Sequence, residues 1–67
     1  MKFKTVYHFS VMDEIEEGKT VYFLDKETQW VGMLNDVPCE AAVKLIRKAK
    51  EDDDSVIFWK EIKENDG

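Results

Sequence analysis

Cys39 and His8 are the residues whose types could carry covalent or proton-transfer chemistry, and each is the only one of its kind in the 67 residues. Cys39 falls near the start of a helical pattern, where the helix dipole lowers a thiol's pKa. A thiol nucleophile also needs a basic partner, and nothing in the sequence brings His8 to it. Cys39 lies on the apolar side of the helical pattern, the usual place of an inert buried thiol. His8 reads as a structural or exposed residue. One cysteine and one histidine fall short of the four ligands of a structural zinc site, and a lone cysteine forms no intramolecular disulfide.

The carboxylates gather in two clusters, Asp13, Glu14, Glu16 and Glu17, then Glu51, Asp52, Asp53 and Asp54. A general acid–base pair needs one carboxylate pushed into an apolar pocket, and acid runs in polar turns are the opposite environment. The second run lacks the alternating ligands, central glycine and distal glutamate of an EF-hand. Gly18 and Gly32 belong to no phosphate loop. The expectation is therefore a non-enzyme with no catalytic residue, no metal and no cofactor. Tyr22, Trp30 and Trp59 could stack bases, as in sheet-based RNA readers, but such modules set basic side chains among their aromatics. Here the net charge is −5. The one basic cluster, Lys44, Arg47, Lys48 and Lys50, is followed at once by acids, so no nucleic-acid partner is expected.

The elements that must position these residues can be read from period and punctuation. Residues 2–9 alternate, with Phe3, Thr5, Tyr7 and Phe9 on one side and Lys2, Lys4, Val6 and His8 on the other, which predicts a strand at an edge or with a solvated side. Residues 10–17 predict a short helix: Ser10 and Asp13 make a weak capping box, Val11, Met12 and Ile15 share a side, and Gly18 can supply a left-handed C-terminus. The rival is a strand continued to Met12 and an acidic turn. This link is too brief for an ordinary parallel crossover, so the first two strands are not expected to be parallel neighbours.

Residues 19–25 and 29–34 predict a hairpin with Leu24 opposite Gln29, Phe23 opposite Trp30, Tyr22 opposite Val31 and Val21 opposite Gly32. Side-chain period two places Val21, Phe23, Trp30 and Leu34 on one face and Tyr22, Leu24, Val31 and Met33 on the other. Residues 38–51 predict the main helix. Pro38 suits its first turn, and Cys39, Ala42, Val43, Ile46 and Ala49 lie on one side with Leu45 at the margin. Lys44, Arg47 and Lys48 lie on the other side, and Lys48 and Lys50 suit the C-terminal dipole. Residues 55–62 predict a last strand through Val56, Ile57, Phe58 and Trp59. The whole is one small α+β domain, residues 1–67: a mostly antiparallel four-stranded sheet with one main helix on one face, in the order β-(α)-β-β-α-β. That order resembles the ferredoxin-like arrangement, in a short chain.

Hydrophobic residues make up 43% and aromatics 12%, ordinary for a folded protein. A domain of this size buries only about 60% of its unfolded surface. Without metal or disulfide, it relies on good packing or self-association. No apolar run follows the basic first residues as in a signal peptide. No stretch approaches the ~18 apolar residues of a membrane span. No membrane association is expected, and the cytoplasm is the expected compartment.

Three strands are apolar on both faces, as if both were covered, yet one long helix covers one face. Phe23 and Trp30 complement the small Ala42 and Ala49, so the helix is expected on their side. Tyr22, Val31 and Met33, joined by Trp59, then form an apolar patch of the kind that marks an interface. The competing expectation folds residues 10–17 over this patch with Val11, Met12 and Ile15. The functional expectation is a protein-interaction module (a regulator, adaptor or inhibitor) that binds a protein partner or a second copy of itself as a homodimer. The alternative is an acidic nucleic-acid mimic that blocks a DNA-binding protein, suggested by the two acid clusters. A small enzyme working as an oligomer ranks third. In size, acidity and lack of catalytic motifs the chain resembles small proteins carried by phages and other mobile elements of bacteria.

Overall fold

The computed structural model describes residues 2–36 and 40–63. The chain runs β1 (Lys2–Thr5), a 3₁₀ turn (His8–Ser10), α1 (Val11–Glu16), β2 (Val21–Asp25), β3 (Trp30–Leu34), α2 (Glu40–Glu51) and β4 (Val56–Ile62). The strands form one antiparallel sheet in the order β1-β4-β2-β3. This is the small α+β architecture that the sequence predicts. Each β-α-β crossover skips one strand: β4 lies between β1 and β2, and β2 lies between β3 and β4. The first two strands are accordingly not neighbours.

Both helices lie on one side of the sheet. Val11 and Ile15 of α1 and Ala42, Leu45 and Ala49 of α2 share a buried cluster with Val21, Phe23, Leu34, Val56 and Phe58. The short helix therefore does not fold over the far face. The main helix covers the Phe23 side, as expected. Its buried stripe is rotated from the expected one. Leu45 is 2% exposed and Val43 is 41% exposed, because Leu45 sits midway between Ala42 and Ala49 and fills the space that these small residues leave. Pro38 and Cys39, expected in the first turn, lie outside the described residues.

The first strand is shorter than its alternation suggests. Beyond Thr5, one more ladder bond forms, Val6 N–H to Phe58 C=O at 2.9 Å, and Val6 enters the core. The chain then leaves the sheet, and Tyr7 and Phe9 are 77% and 75% exposed. The reason lies downstream: the link must rise over β4 to seat Val11 and Ile15, whose burial outweighs continued edge pairing. The capping box does not form, and Ser10 makes no side-chain cap bond. Ser10 is itself helical because the 3₁₀ turn runs straight into α1, with Val11 N–H bonding His8 C=O. The far end closes as the sequence predicts. Gly18 has φ +85, and its N–H and that of Lys19 bond Ile15 C=O and Glu14 C=O at 2.9 and 3.0 Å, the pattern of a glycine-terminated helix.

The hairpin register differs from expectation by two residues. Phe23 stands opposite Gly32, Leu24 opposite Val31, and Asp25 opposite Trp30. Asp25 sets the turn: its Oδ1 accepts from the Glu27 and Thr28 amides at 3.0 and 3.4 Å. Gln29 takes the left-handed conformation at φ 62, so the loop is 26–29. A two-residue shift preserves the parity of the strand, and the two predicted faces survive intact.

Candidate interaction surface

The covered face dictates the open one. With Val21, Phe23, Val56, Phe58 and Leu34 in the core, period two turns Tyr22, Leu24, Val31, Met33, Ile57 and Trp59 to the opposite side. On β1, which pairs Phe3 with Glu61 and Thr5 with Trp59, Phe3 and Thr5 turn the same way. All four residues named from the sequence, Tyr22, Val31, Met33 and Trp59, therefore share one face that neither helix covers. Tyr22 and Trp59 are cross-strand partners, with rings stacked at 6.1 Å and 21°. Phe3 meets Tyr22 edge-on at 6.2 Å. The outer strand is the most exposed part, with Val31 at 61% and Met33 at 58%. Phe3, Leu24 and Ile57 complete the face and are missing from the residues chosen by sequence. Ile57 was legible, since it shares parity with Trp59; Phe3 was hidden by an overlong first strand.

The face is almost without charge. Among the described strand residues turned to this side, Glu61 alone is charged. The buried ionic chemistry lies on the other side, where it pins the helices to the sheet. Lys48 Nζ of α2 reaches Asp25 Oδ2 at 2.6 Å and Glu27 Oε1 at 3.4 Å. The Lys48 hydrogen bond, seconded by the Thr28 and Glu27 amides, holds the Asp25 carboxyl below the usual carboxylate range against the opposing effect of burial. Asp25 in return raises Lys48 above the ordinary lysine range. Lys48, set with Lys44 and Arg47 by the helical pattern, is half-buried at the flank of α2, and its ammonium reaches the Asp25 carboxylate. Lys60 Nζ of β4 holds Glu14 Oε1 of α1 at 2.6 Å, and Lys19 stands 3.6 Å from Glu14 Oε2. Glu14 is lowered chiefly by the Lys60 bond, with burial opposing.

Asp25 is bonded by Lys48 and the turn amides, whereas Glu14 bonds Lys60 through Oε1 and leaves Oε2 buried without a hydrogen-bond partner, with Lys19 Nζ 3.6 Å away. His8 lies beside the Phe9 ring at 4.1 Å. Among the described residues, no group of three or more His, Cys, Asp or Glu side chains could hold a metal ion, and no helix is long and apolar enough to cross a membrane. Comparison with protein-family models, curated proteins and solved structures gave no match.

Proposed function

We propose that this protein is a non-enzymatic interaction module, a regulator, adaptor or inhibitor, that binds a protein partner through the open sheet face. The observation that supports this reading is the contrast between two sides of one sheet. One side is covered by both helices and holds the ion pairs. The other carries exposed Phe3, Val31, Met33 and Ile57 around half-buried Tyr22, Leu24 and Trp59, almost without charge, on a protein of net charge −5. A contiguous apolar, aromatic and methionine-bearing patch is what protein interfaces select. The acidic-mimic reading is weaker: Glu14 of the first acid cluster is tied to Lys60 and Lys19, and in sequence Lys44, Arg47, Lys48 and Lys50 directly precede the second.

The test places one carboxylate in the face at two separate points, Val31→Glu on β3 and Ile57→Glu on β4. Both variants are expected to keep the wild-type circular dichroism spectrum and to lose partner binding. Partner affinity of the wild type should change little between low and high salt, whereas a charge mimic would lose affinity steeply. A partner that binds both variants as tightly as wild type, or variants that unfold as dilute monomers, would overturn the assignment.

A further inference from the structure

The two edges of the sheet are built differently. The β1 edge carries Lys2 and Lys4, the kind of charged side chain that guards an edge against pairing with another chain. The β3 edge, Trp30-Val31-Gly32-Met33-Leu34, carries no charge and no proline, and its register with β2 runs through all five residues without a bulge. Backbone direction along β3 follows from the ladder inside the sheet. Lys26 N–H bonds Ser55 C=O at 2.9 Å, and these two residues continue the β2–β4 register. Bonding direction alternates along a strand. Leu24 and Tyr22 therefore bond β4, and Val21, Phe23 and Asp25 bond β3. On β3, the residues opposite them, Trp30, Gly32 and Leu34, turn inward. Val31 and Met33 present their N–H and C=O groups to the free edge.

We propose that this edge is a pairing site for a second copy of the chain, with β3 antiparallel to its mate about a two-fold axis at Gly32. The pairing goes beyond the interaction reading, since the open face could bind a partner with or without it. Registers that place Val31 opposite itself, or Met33 opposite itself, leave one of the two outward residues beyond the end of the mate's strand. Val31 opposite the mate's Met33 uses both residues of both copies. This register sets Gly32 against Gly32 at the narrow, non-bonded position of the antiparallel ladder, where neither has a Cβ. Trp30, 53% exposed, then faces Leu34 of the mate on the helix side, and Val31 faces Met33 on the open side. Every cross-strand pair is apolar on both faces, and no like charges meet, although each copy carries −5. A charged residue anywhere on this strand would forfeit that self-complementarity. The product is one continuous sheet with Val31 and Met33 of both copies at its centre.

The test combines amide exchange with light scattering on the whole protein. In wild type, the Val31 and Met33 amides are expected to exchange fast when dilute and about tenfold or more slower when concentrated, whereas the Gly32 amide, bonded within the sheet, keeps the same protection throughout. Met33→Pro removes an N–H that the monomer does not use, and proline is tolerated on such an edge. It is expected to raise the dimer dissociation constant about 30-fold, the effect of two symmetry-related hydrogen bonds of ordinary net strength. Ile57→Glu, two strands away, should leave the dimer intact even if it abolishes partner binding, so the two proposals fail separately. The pairing is overturned if wild type stays monomeric with both amides unprotected when concentrated. It is equally overturned if Met33→Pro dimerises like wild type while Ile57→Glu does not, since the copies then meet face to face. Protection of the two amides that appears only on adding a foreign peptide overturns the second copy as occupant. Should Met33→Pro fail to fold, the wild-type exchange pattern alone decides.

Discussion

Met33 and Leu34 are adjacent on β3 and similar in size, yet they point to opposite faces, and their truncation should separate the two faces quantitatively. Leu34 is 2% exposed and lies in the cluster with Phe23 and Leu45. Leu34→Ala removes buried methyl groups and leaves a cavity, at a cost of about 2–5 kcal/mol. Met33 is 58% exposed, so less than half of the roughly 1.5–3 kcal/mol of a fully buried side chain is at stake, about 1 kcal/mol or less. A chain of 67 residues has about 3–10 kcal/mol in total. Leu34→Ala should therefore bring the protein close to unfolding, with a midpoint lowered by about 10–30 °C, and Met33→Ala by no more than about 8 °C. Urea titration of dilute protein gives the two free-energy losses, and thermal unfolding gives the two midpoints. Equal losses, or a Met33→Ala loss above about 2 kcal/mol in the dilute monomer, would refute the one-sided core. A Met33→Ala loss that grows with protein concentration instead measures what the exposed strand contributes to association.

Gly32→Ala should destabilise the monomer by about 1–3 kcal/mol, the usual effect of overpacking, because its Cβ would stand 3.0 Å from Phe23 Cε1; unchanged denaturation midpoints would show that the ring yields. Gly18→Ala should destabilise by about 1–2 kcal/mol, although nothing lies within 4 Å of its Cβ, because φ is +85; an Asn variant should recover part of the loss. Asp25 and Glu14 titrate below their ordinary range in the folded protein. Each therefore contributes stability that is fully present above the unfolded carboxylate pKa of about 4 and is lost as pH falls through the lower folded value. Lys48→Met removes the largest cause of the Asp25 shift and leaves burial to act, so the Asp25 carboxyl should titrate higher by NMR and acid unfolding should begin at higher pH. An unmoved Asp25 titration would refute this clamp.

The faces of the hairpin were legible in the sequence because parity alone fixes them. The exact register was not, because it depends on Asp25. By composition Asp25 is a polar turn residue, but in the fold its carboxylate is buried at 2% exposure and bound by Lys48 from a helix 23 residues away. No local pattern announces a charge neutralised at that distance. The same pairing explains why Lys48, on the solvated side of the helical pattern, is half-buried. The length of β1 was misread for a related reason: alternation of Tyr7 and Phe9 is a local signal, and the need to seat Val11 and Ile15 across the sheet is not.

The position of the short helix decides how much of the candidate surface remains open. The apolar side chains of α1 had two available destinations, and sequence pattern favours neither. Chain connectivity breaks the tie. β1 pairs only with β4, and the chain that leaves it must reach β2 on the far side of β4 over residues 6–20. If α1 lay on the open face, Lys60 and Glu14 would stand on opposite sides of the sheet. With α1 beside α2, Lys60 bonds Glu14 at 2.6 Å, and Val11 and Ile15 fill the margin of the core that α2 cannot reach. Both helices are then committed to one layer. The apolar character of Tyr22, Val31, Met33, Ile57 and Trp59 finds no cover within the described residues, and this is the surface on which the proposed interaction rests.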